Sequence, residues 1–380
     1  MTQLSAGPRA TRLVLQDFRS YESLDLAVEA PLVALVGENG AGKTNVLEAL
    51  SLLSPGRGLR RADYGAMIRD GAQGFAVFAV LEGAYGEHRL GTATSQGGEG
   101  RGRVCRIDGQ NASGPSAFAE FVRLVWLTPD LDGLFRGPAG DRRRFLDRLV
   151  LAVDSEHGSR AAALERALRT RNRLLEEGGE ARWLDAVERE TAELAIAVAA
   201  ARRETVARLA ALIAEGRDDA SPFPHAEIAL EGEIDALVAS LPALDAEERY
   251  RAMLREGRAR DRAAGRTLVG PQASDLAVRH GPKDIAASLA STGEQKALLV
   301  GLVLAHARLV AAMTGMAPLV LLDEVAAHLD PRRRAALYEA LLALGGQVWM
   351  TGADEALFAE IANRADIVAV VEGSAARRAR

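Results

Sequence analysis

The chain has 380 residues, 48% of them hydrophobic and 26% charged, with a formal net charge of −5 at pH 7. This length suits one large domain or two ordinary ones, and the acidic balance means that any nucleic-acid contact must come from a local basic patch. A single cysteine, Cys105, excludes a disulfide framework and a cysteine-built zinc site. No uninterrupted apolar run reaches the roughly 18 residues that span a bilayer, and the opening residues lack the apolar middle of a signal peptide. We therefore expect a cytoplasmic protein with no membrane partner.

The first third of the chain is dominated by predicted strands. Short apolar or alternating segments predict strands, Gly-rich turns between them predict antiparallel hairpins over residues 75–107, and Gln96–Gly102 reads as a hairpin tip. A helix is predicted over Lys43–Leu53. The predicted strands are Thr11–Asp17, Leu24–Val28, Pro31–Val36, Phe75–Leu81, His88–Thr94, Val104–Ile107 and Arg123–Leu127.

The middle of the chain changes character. Residues 139 to 215 predict two or three long helices, because apolar residues recur with helical spacing and proline is nearly absent. A proline-bearing segment, Ser221–Pro224, interrupts them. The later predicted helices are Ala246–Ala264, Gly293–Met313 and Pro331–Leu344, and the later predicted strands are Arg266–Val269, Ala277–Arg279, Pro318–Leu322, Gln347–Thr351 and Ile367–Val371.

A phosphate-binding loop is the strongest motif in the sequence. Residues Gly37–Thr44 read GENGAGKT and fit G-x-x-x-x-G-K-[ST] between a predicted strand and a predicted helix. Lys43 is expected to reach the β- and γ-phosphates as a catalytic group, and Thr44 to ligate Mg²⁺. The motif predicts ATP and Mg²⁺ as cofactors. The residues whose backbone is expected to cradle the phosphates are Gly37, Glu38, Asn39, Gly40, Ala41 and Gly42.

An acidic pair follows the predicted strand that ends at Leu322. Asp323 is expected to hold Mg²⁺, and Glu324 to polarise the attacking water as a general base. The alternative is an acidic helix cap or turn. The phosphate-binding loop elsewhere in the chain favours the functional interpretation.

The segment Ser291–Gln295, STGEQ, directly precedes a long predicted helix. Ser291 and Glu294 have the spacing of a capping box, so a simple helix start is one interpretation. The other is an anion site formed by a hydroxyl, the backbone at Gly293 and the helix dipole.

The pattern SxGEQ, about 30 residues before the acidic pair, resembles the signature motif of ABC ATPases. In that superfamily the signature contacts the γ-phosphate held by the other subunit, which would involve Ser291, Gly293, Glu294 and Gln295, and a second aspartate, here Asp330, faces the partner. One chain carries one loop and one signature. The resemblance therefore implies an ATP-dependent, head-to-tail homodimer.

The chain as a whole resembles the RecF family of bacterial recombination mediators. The order and spacing of several segments carry the resemblance, although Gln272 stands where the family commonly has a histidine. Transporter-type ATPases also have a histidine after the strand that follows the acidic pair, whereas here that strand ends in Thr351. Such ATPases also carry a Q-loop glutamine, and residues 119–131 contain no convincing candidate for it. The matching segments are Leu15–Tyr21, Leu127–Leu131, Gly137-Pro138, Arg142–Asp147 (RRRFLD), Arg266–Pro271 and Ser274–Leu276.

This resemblance implies a fold and a function. The expected fold is α/β: an ABC-type ATPase head, with a mixed sheet and an antiparallel β subdomain, interrupted by an α-helical lever arm. We expect the head over 1–137 and 265–380 and the arm over 138–264. The expected function is ATP-driven dimerisation and binding to duplex DNA near gaps or junctions, helping RecA to load with RecR and RecO as partners. Slow hydrolysis would release the DNA.

Arginines supply the remaining candidates. The resemblance places Arg19 near the adenine, although an ordinary exposed arginine is the alternative. Two clusters, Arg57, Arg60 and Arg61, and Arg142–Arg144, are candidates for contact with DNA phosphates. The alternative is a solvated face paired with nearby carboxylates. No aromatic residues are interleaved with them, which favours recognition of the duplex backbone over base stacking.

Two other functions compete. The nucleotide-binding subunit of a membrane transporter would share the loop and the acidic pair, but SxGEQ in place of LSGGQ, the missing histidine and the helical insertion disfavour it. A chromosome-organising ATPase head would need a far longer coiled coil than this insertion of about 120 residues allows.

Overall fold

The computed structural model of the chain describes residues 7–84, 86–95, 102–218 and 220–378. The chain divides into two compact units, the first containing residues 1–132, 218–224 and 292–380 and the second residues 133–217 and 225–291. Residues 265–291 thus belong to the helical unit, whereas the sequence placed them in the head. The reason is that strand Asp275–His280 pairs with Ala226–Glu231 inside that unit. All but the last residue of the predicted hairpin tip Gln96–Gly102 lies outside the described residues.

Strands and helices are numbered in chain order over the described residues. The strands are β1 Arg9–Phe18, β2 Tyr21–Ala27, β3 Leu32–Val36, β4 Gly74–Gly83, β5 Gly86–Ser95, β6 Val104–Ile107, β7 Gln110–Asn111, β8 Leu124–Leu127, β9 Ala226–Glu231, β10 Asp275–His280, β11 Ile285–Ala286, β12 Leu319–Leu322, β13 Val348–Gly352, β14 Ala365–Val371 and β15 Ser374–Arg377. The helices are α1 Lys43–Ser51, α2 Ala139–Val153, α3 His157–Glu176, α4 Ala181–Glu215, α5 Glu233–Ser240, α6 Ala243–Glu256, α7 Arg258–Ala264, α8 Thr292–Thr314 and α9 Pro331–Ala343.

A largely parallel sheet organises the first unit. Within the described residues its strand order is β15-β14-β3-β13-β12-β8, and only the edge strand β15 runs antiparallel to its neighbour. Strands β3 and β12 are buried at every position, as expected for strands of a parallel sheet covered on both faces. Because β3, β13 and β12 are adjacent and parallel, their carboxyl ends meet at one edge. That edge brings together the residues that follow them.

An antiparallel sheet completes the first unit. Its described strands run in the order β2-β1-β4-β5-β6-β7. Leu13 and Leu15 of β1 and Val77 of β4 share one buried cluster with Leu47 and Leu50 of α1. Burying side chains of this kind stabilises the fold by roughly 1.5–3 kcal/mol each. The antiparallel sheet therefore packs against the helix that begins at the phosphate-binding loop.

Helix α8 is the one described helix that is long and apolar enough, by length and composition, to cross a membrane. Its most apolar window has a mean hydropathy of 1.9, and 72% of that window is buried inside the structure. A helix that is apolar all round is suited to the interior of a large protein as well as to a bilayer. Here it is a core helix of the first unit.

The second unit is built on α3 and α4, with the small sheet β11-β10-β9. The two or three long helices predicted over 139–215 are α2, α3 and α4, whereas β9 and α5 were not predicted. The strand predicted over Arg266–Val269 is wrong, because side chains take its backbone hydrogen bonds. The Val269 carbonyl accepts from the Tyr250 hydroxyl (2.7 Å) and from Gln272 Nε2 (3.0 Å), and Gln272 Nε2 also reaches the Thr267 carbonyl.

Ion pairs tie α2 to the rest of this unit. Arg142 makes a two-pronged contact with Asp275 of β10, at 2.8 and 2.7 Å. Asp147 accepts from Arg202 of α4 (2.8 and 2.9 Å) and lies 2.8 Å from His157 Nε2 of α3. Burial raises the pKa of Asp147, but the hydrogen bonds from His157 and Arg202 lower it further than burial raises it, to about 2. The segment RRRFLD thus positions α2 within its own unit.

Candidate nucleotide-binding site

The loop after β3 has the curled backbone that a phosphate cradle needs. Gly40 and Gly42 have φ values of 87° and 107°, in the region that favours glycine. A Cβ at Gly37 would lie 2.1 Å from the Val370 carbonyl oxygen of β14, so only glycine fits between the strands there. Helix α1 begins directly after Gly42, which aims its N-terminal N–H groups into the loop.

Lys43 lies inside the curve of this loop. Its side chain donates to the carbonyl oxygens of Gly37 (2.6 Å) and Glu38 (2.8 Å), and the residue is 4% exposed. The ammonium group is therefore held where the loop N–H groups and the helix N-terminus converge. This arrangement offers several donors and one full positive charge to an anion.

Residues at the turn between β1 and β2 form hydrogen bonds with the phosphate-binding loop and with α1. The Tyr21 hydroxyl donates to the Gly42 carbonyl (3.2 Å), and burial raises the pKa of Tyr21, so it stays protonated as the donor. Ser20 Oγ accepts from the Asn45 amide at 2.9 Å. The end of the segment Leu15–Tyr21, which resembles the RecF family, therefore contacts the loop and the first turn of α1.

Glu48 of α1 is fully buried and has two arginine partners. Arg19 contacts both carboxylate oxygens at 2.8 Å and donates to the Ala66 carbonyl at 2.6 Å. Arg60 donates to Glu48 and to Asn45 Oδ1, both at 2.8 Å. A buried carboxylate needs such partners, because an unpaired charge there would cost several kcal/mol. In this structure both arginines form ion pairs with Glu48 of α1. Adenine contact by Arg19 and DNA contact by Arg60 remain predictions.

The structure brings the two predicted Mg²⁺ ligands together. Thr44 and Asp323 are 279 residues apart in the chain, yet Thr44 Oγ1 lies 2.9 and 3.0 Å from the two carboxylate oxygens. Asp323 is 6% exposed, and burial raises its pKa against the hydrogen bonds from Thr351 and Thr44, which lower it. A carboxylate beside a hydroxyl, next to a phosphate cradle, is a suitable oxygen donor set for Mg²⁺.

Glu324 has an unusual backbone at the predicted position of the general base. Its φ is 55°, the left-handed region that costs a residue with a side chain roughly 1–2 kcal/mol. Its N–H donates to Thr351 Oγ1 at 2.8 Å. Sequence reasoning noted Thr351 only as the place of a missing histidine. The signal that could have found it is its position at the end of β13, the parallel neighbour of β12.

Replacing Asp323 by asparagine is expected to raise the free energy of unfolding of the nucleotide-free protein by about 1 kcal/mol at neutral pH. Burial raises the pKa of this carboxyl above its unfolded value of 3.8, so its ionised form costs stability that an amide does not. The gain in stability should vanish below pH 3.8, where Asp323 of the wild type is protonated in both the folded and the unfolded state. It should develop as the pH rises through the pKa of the folded state. Urea denaturation across this range measures it. A variant less stable than wild type at neutral pH would contradict the argument.

The predicted signature lies at the start of α8. The helix begins at Thr292, directly after Ser291. Ser291 and Gly293 are exposed, Glu294 is half-buried and Gln295 is buried. Asp330 caps α9 by accepting from the Arg333 N–H at 2.9 Å. Asp330 therefore has a local structural role in this structure, and the roles of these five residues toward nucleotide remain predictions.

Several arginines of the two predicted DNA-contacting clusters have partners. Arg57 lies 2.7 Å from Asp63, Arg143 donates to the Ser274 carbonyl at 2.8 Å, and Arg144 pairs with Asp141. Together with the Arg142–Asp275 pair, these contacts favour the alternative of arginines paired within the protein. DNA contact by the clusters remains a prediction.

Comparison with known proteins identifies the family. The model of the RecF/RecN/SMC N-terminal domain matches residues 10–375. The DNA replication and repair protein RecF of Rhizobium meliloti is 55% identical over 365 residues, which cover 96% of this chain and 97% of the relative. The chain belongs to the RecF family. The RecF protein of Mesorhizobium japonicum is 54% identical over 374 residues, which cover 98% of each chain.

A solved structure of this family supports the fold. The recombination mediator protein RecF-ATPrS in the RecFOR pathway superposes with a TM-score of 0.87 at 19% identity, covering 99% of each chain. The predicted resemblance and the predicted fold class of an ABC-type ATPase head are thus confirmed. The RecF relatives at 54–55% identity are DNA replication and repair proteins, and the transporter alternative is not favoured.

Proposed function

We propose that this chain is an ATP-switched DNA-binding protein. ATP and Mg²⁺ bind at the loop Gly37–Thr44, and the ATP-bound form dimerises and closes on duplex DNA near gaps or junctions. The observation that carries the proposal is the contact between Thr44 and Asp323 beside the buried ammonium group of Lys43. The three residues come from two distant segments and converge on one place.

The chemistry of this place suits a nucleoside triphosphate. The loop N–H groups and Lys43 would neutralise the β- and γ-phosphates, and Thr44 and Asp323 would hold the metal ion. Lys43 now satisfies two carbonyl oxygens, which phosphate oxygens can replace as partners. Glu324 would polarise the attacking water. Hydrolysis then serves to release the DNA, so slow turnover is sufficient.

The second half of the site comes from another copy of the chain. Ser291 and Gly293 are exposed at the beginning of α8, a helix of 23 residues whose N-terminus favours an anion. In a head-to-tail dimer this signature, with Asp330, would complete the site around the γ-phosphate of the partner. Family membership supports RecA, RecR and RecO as further partners and a cytoplasmic location.

The direct test is a gel-shift assay with duplex and gapped DNA, with and without ATP and Mg²⁺. We expect binding that depends on both, weakens with rising salt as backbone contacts are lost, and persists longest with a slowly hydrolysed ATP analogue. DNA binding that is absent, or that is equally strong without nucleotide, would overturn the proposal.

Replacing Ser291 by arginine is expected to block ATP-dependent dimerisation while leaving ATP bound to the loop. The exposed position accepts the larger side chain in the monomer, but in a dimer it would fill the space meant for the γ-phosphate of the partner. Light scattering would measure the dimer and fluorescent ATP the binding. We expect at least about a tenfold loss of dimer affinity, corresponding to 1.4 kcal/mol or more.

The control for this prediction is Ser240→Arg, which places the same side chain on an exposed serine at the end of α5. It should dimerise as wild type does. An unchanged ATP-dependent dimer in the Ser291 variant would rule out the shared site.

A further inference from the structure

Thr351 lies at the carboxyl end of β13, and its hydroxyl forms hydrogen bonds with both residues of the acidic pair. It is 1% exposed. Its hydroxyl oxygen lies 2.8 Å from Asp323 Oδ1 and 2.8 Å from the backbone nitrogen of Glu324. Because a backbone N–H can only donate, the hydroxyl accepts from Glu324. Toward an ionised Asp323, which can only accept, the hydroxyl gives its own proton.

The bond to Asp323 has a geometric consequence. Oδ1 of Asp323 lies 2.8 Å from the Thr351 hydroxyl and 2.9 Å from the Thr44 hydroxyl, so hydroxyls on two different elements orient this buried carboxylate. Thr44 is the residue expected to turn toward Mg²⁺. Thr351 would then be the hydroxyl that stays on Asp323 when the metal is bound.

The bond to Glu324 has a conformational consequence. The left-handed backbone at this residue is unfavourable and persists only where the surroundings enforce it. Thr351 holds the Glu324 N–H, and β13 is fixed between β3 and β12. The Thr351 hydroxyl, on the neighbouring strand β13, thus fixes the backbone position from which the Glu324 side chain extends.

We propose that Thr351 is a positioning residue of the ATPase site, whose hydroxyl orients the Asp323 carboxylate and fixes the backbone of Glu324. The inference rests on the proposed function, because it needs ATP hydrolysis at this site. Thr351 itself contacts neither water nor phosphate in this role. It acts through the two carboxylates.

The test compares Thr351→Val, which keeps the shape and removes the hydroxyl, with Thr351→Ser, which keeps the hydroxyl. For the valine variant we expect kcat to fall about tenfold or more, since a hydrogen bond to a charged group is lost. The Mg²⁺ concentration for half-maximal activity should rise several-fold. The KM for ATP should change little, because the phosphate-binding loop is intact, and serine should restore both kcat and the Mg²⁺ concentration.

Thr92→Val is the matched control, because Thr92 is a buried threonine on β5, outside the site. It should match wild type in Mg²⁺ dependence and kcat. If the Thr351 valine variant does not fold, as judged by circular dichroism, Thr351→Ala and Thr351→Ser provide the same comparison, and only serine should keep the wild-type kcat. Wild-type Mg²⁺ dependence and kcat in a variant without the hydroxyl would overturn the inference. A wild-type protein that neither binds nor hydrolyses ATP would instead overturn the proposed function.

Discussion

Replacing Lys43 by arginine is expected to weaken ATP binding at least about tenfold and to abolish ATP-dependent DNA binding, although the positive charge is kept. The buried ammonium donates to two carbonyl oxygens inside a tightly curled loop. A planar guanidinium is larger and cannot present its donors from the same point. Hydrogen bonds to charged groups contribute about 1.5–3 kcal/mol each, so misplacing one is enough for this loss.

Equilibrium binding of a fluorescent ATP analogue, followed by a gel shift with duplex DNA, measures both effects. Lys283→Arg provides the control, because Lys283 is an exposed lysine outside the loop and should tolerate the same change. If Lys43→Arg bound ATP as tightly as wild type, the loop would not be the nucleotide site.

Replacing Arg171 by leucine is expected to destabilise the second unit by about 3–5 kcal/mol, the usual cost of breaking a buried ion pair from one side. The guanidinium is fully buried and contacts Glu188 (3.1 Å), Asp261 (2.8 Å), the Thr267 hydroxyl (2.7 Å) and the Leu254 carbonyl (2.7 Å). These partners come from α4, α7, the following loop and α6. Without Arg171, Asp261 and Glu188 would be buried with part of their charge uncompensated.

Urea denaturation followed by circular dichroism measures this loss, and a second helical transition at lower urea would show that the second unit unfolds first. Arg169→Ala is the control on the same helix, since Arg169 is exposed and its pair with Glu165, at 3.7 Å, should contribute at most about 1 kcal/mol. A loss no larger than that of the control would mean that the buried network is not needed for stability.

The elements around the site were largely predictable from sequence. β3 and β12 are continuous apolar runs, because both faces of a parallel sheet are covered, and the loop motif is local in sequence. The roles of Thr351, Glu48 and Arg60 were not predictable, because their partners lie on other elements and no periodicity reports such contacts. The strand predicted over Arg266–Val269 failed for a related reason: its apolar residues suit a strand, but the Tyr250 and Gln272 side chains occupy its carbonyl groups.

The pair formed by Arg142 and Asp275 has a consequence for sequence variation. The two residues are 133 positions apart and only partly exposed, so losing either one leaves a charge without its partner in a poorly solvated place. Substitutions at the two positions should therefore be tolerated together more readily than singly, as residues in contact tend to covary. The segment RRRFLD, whose arginines are candidates for contact with DNA phosphates, would then vary in step with the residues that it contacts inside its own unit. A matched charge reversal, Arg142→Asp with Asp275→Arg, should be less harmful than either change alone.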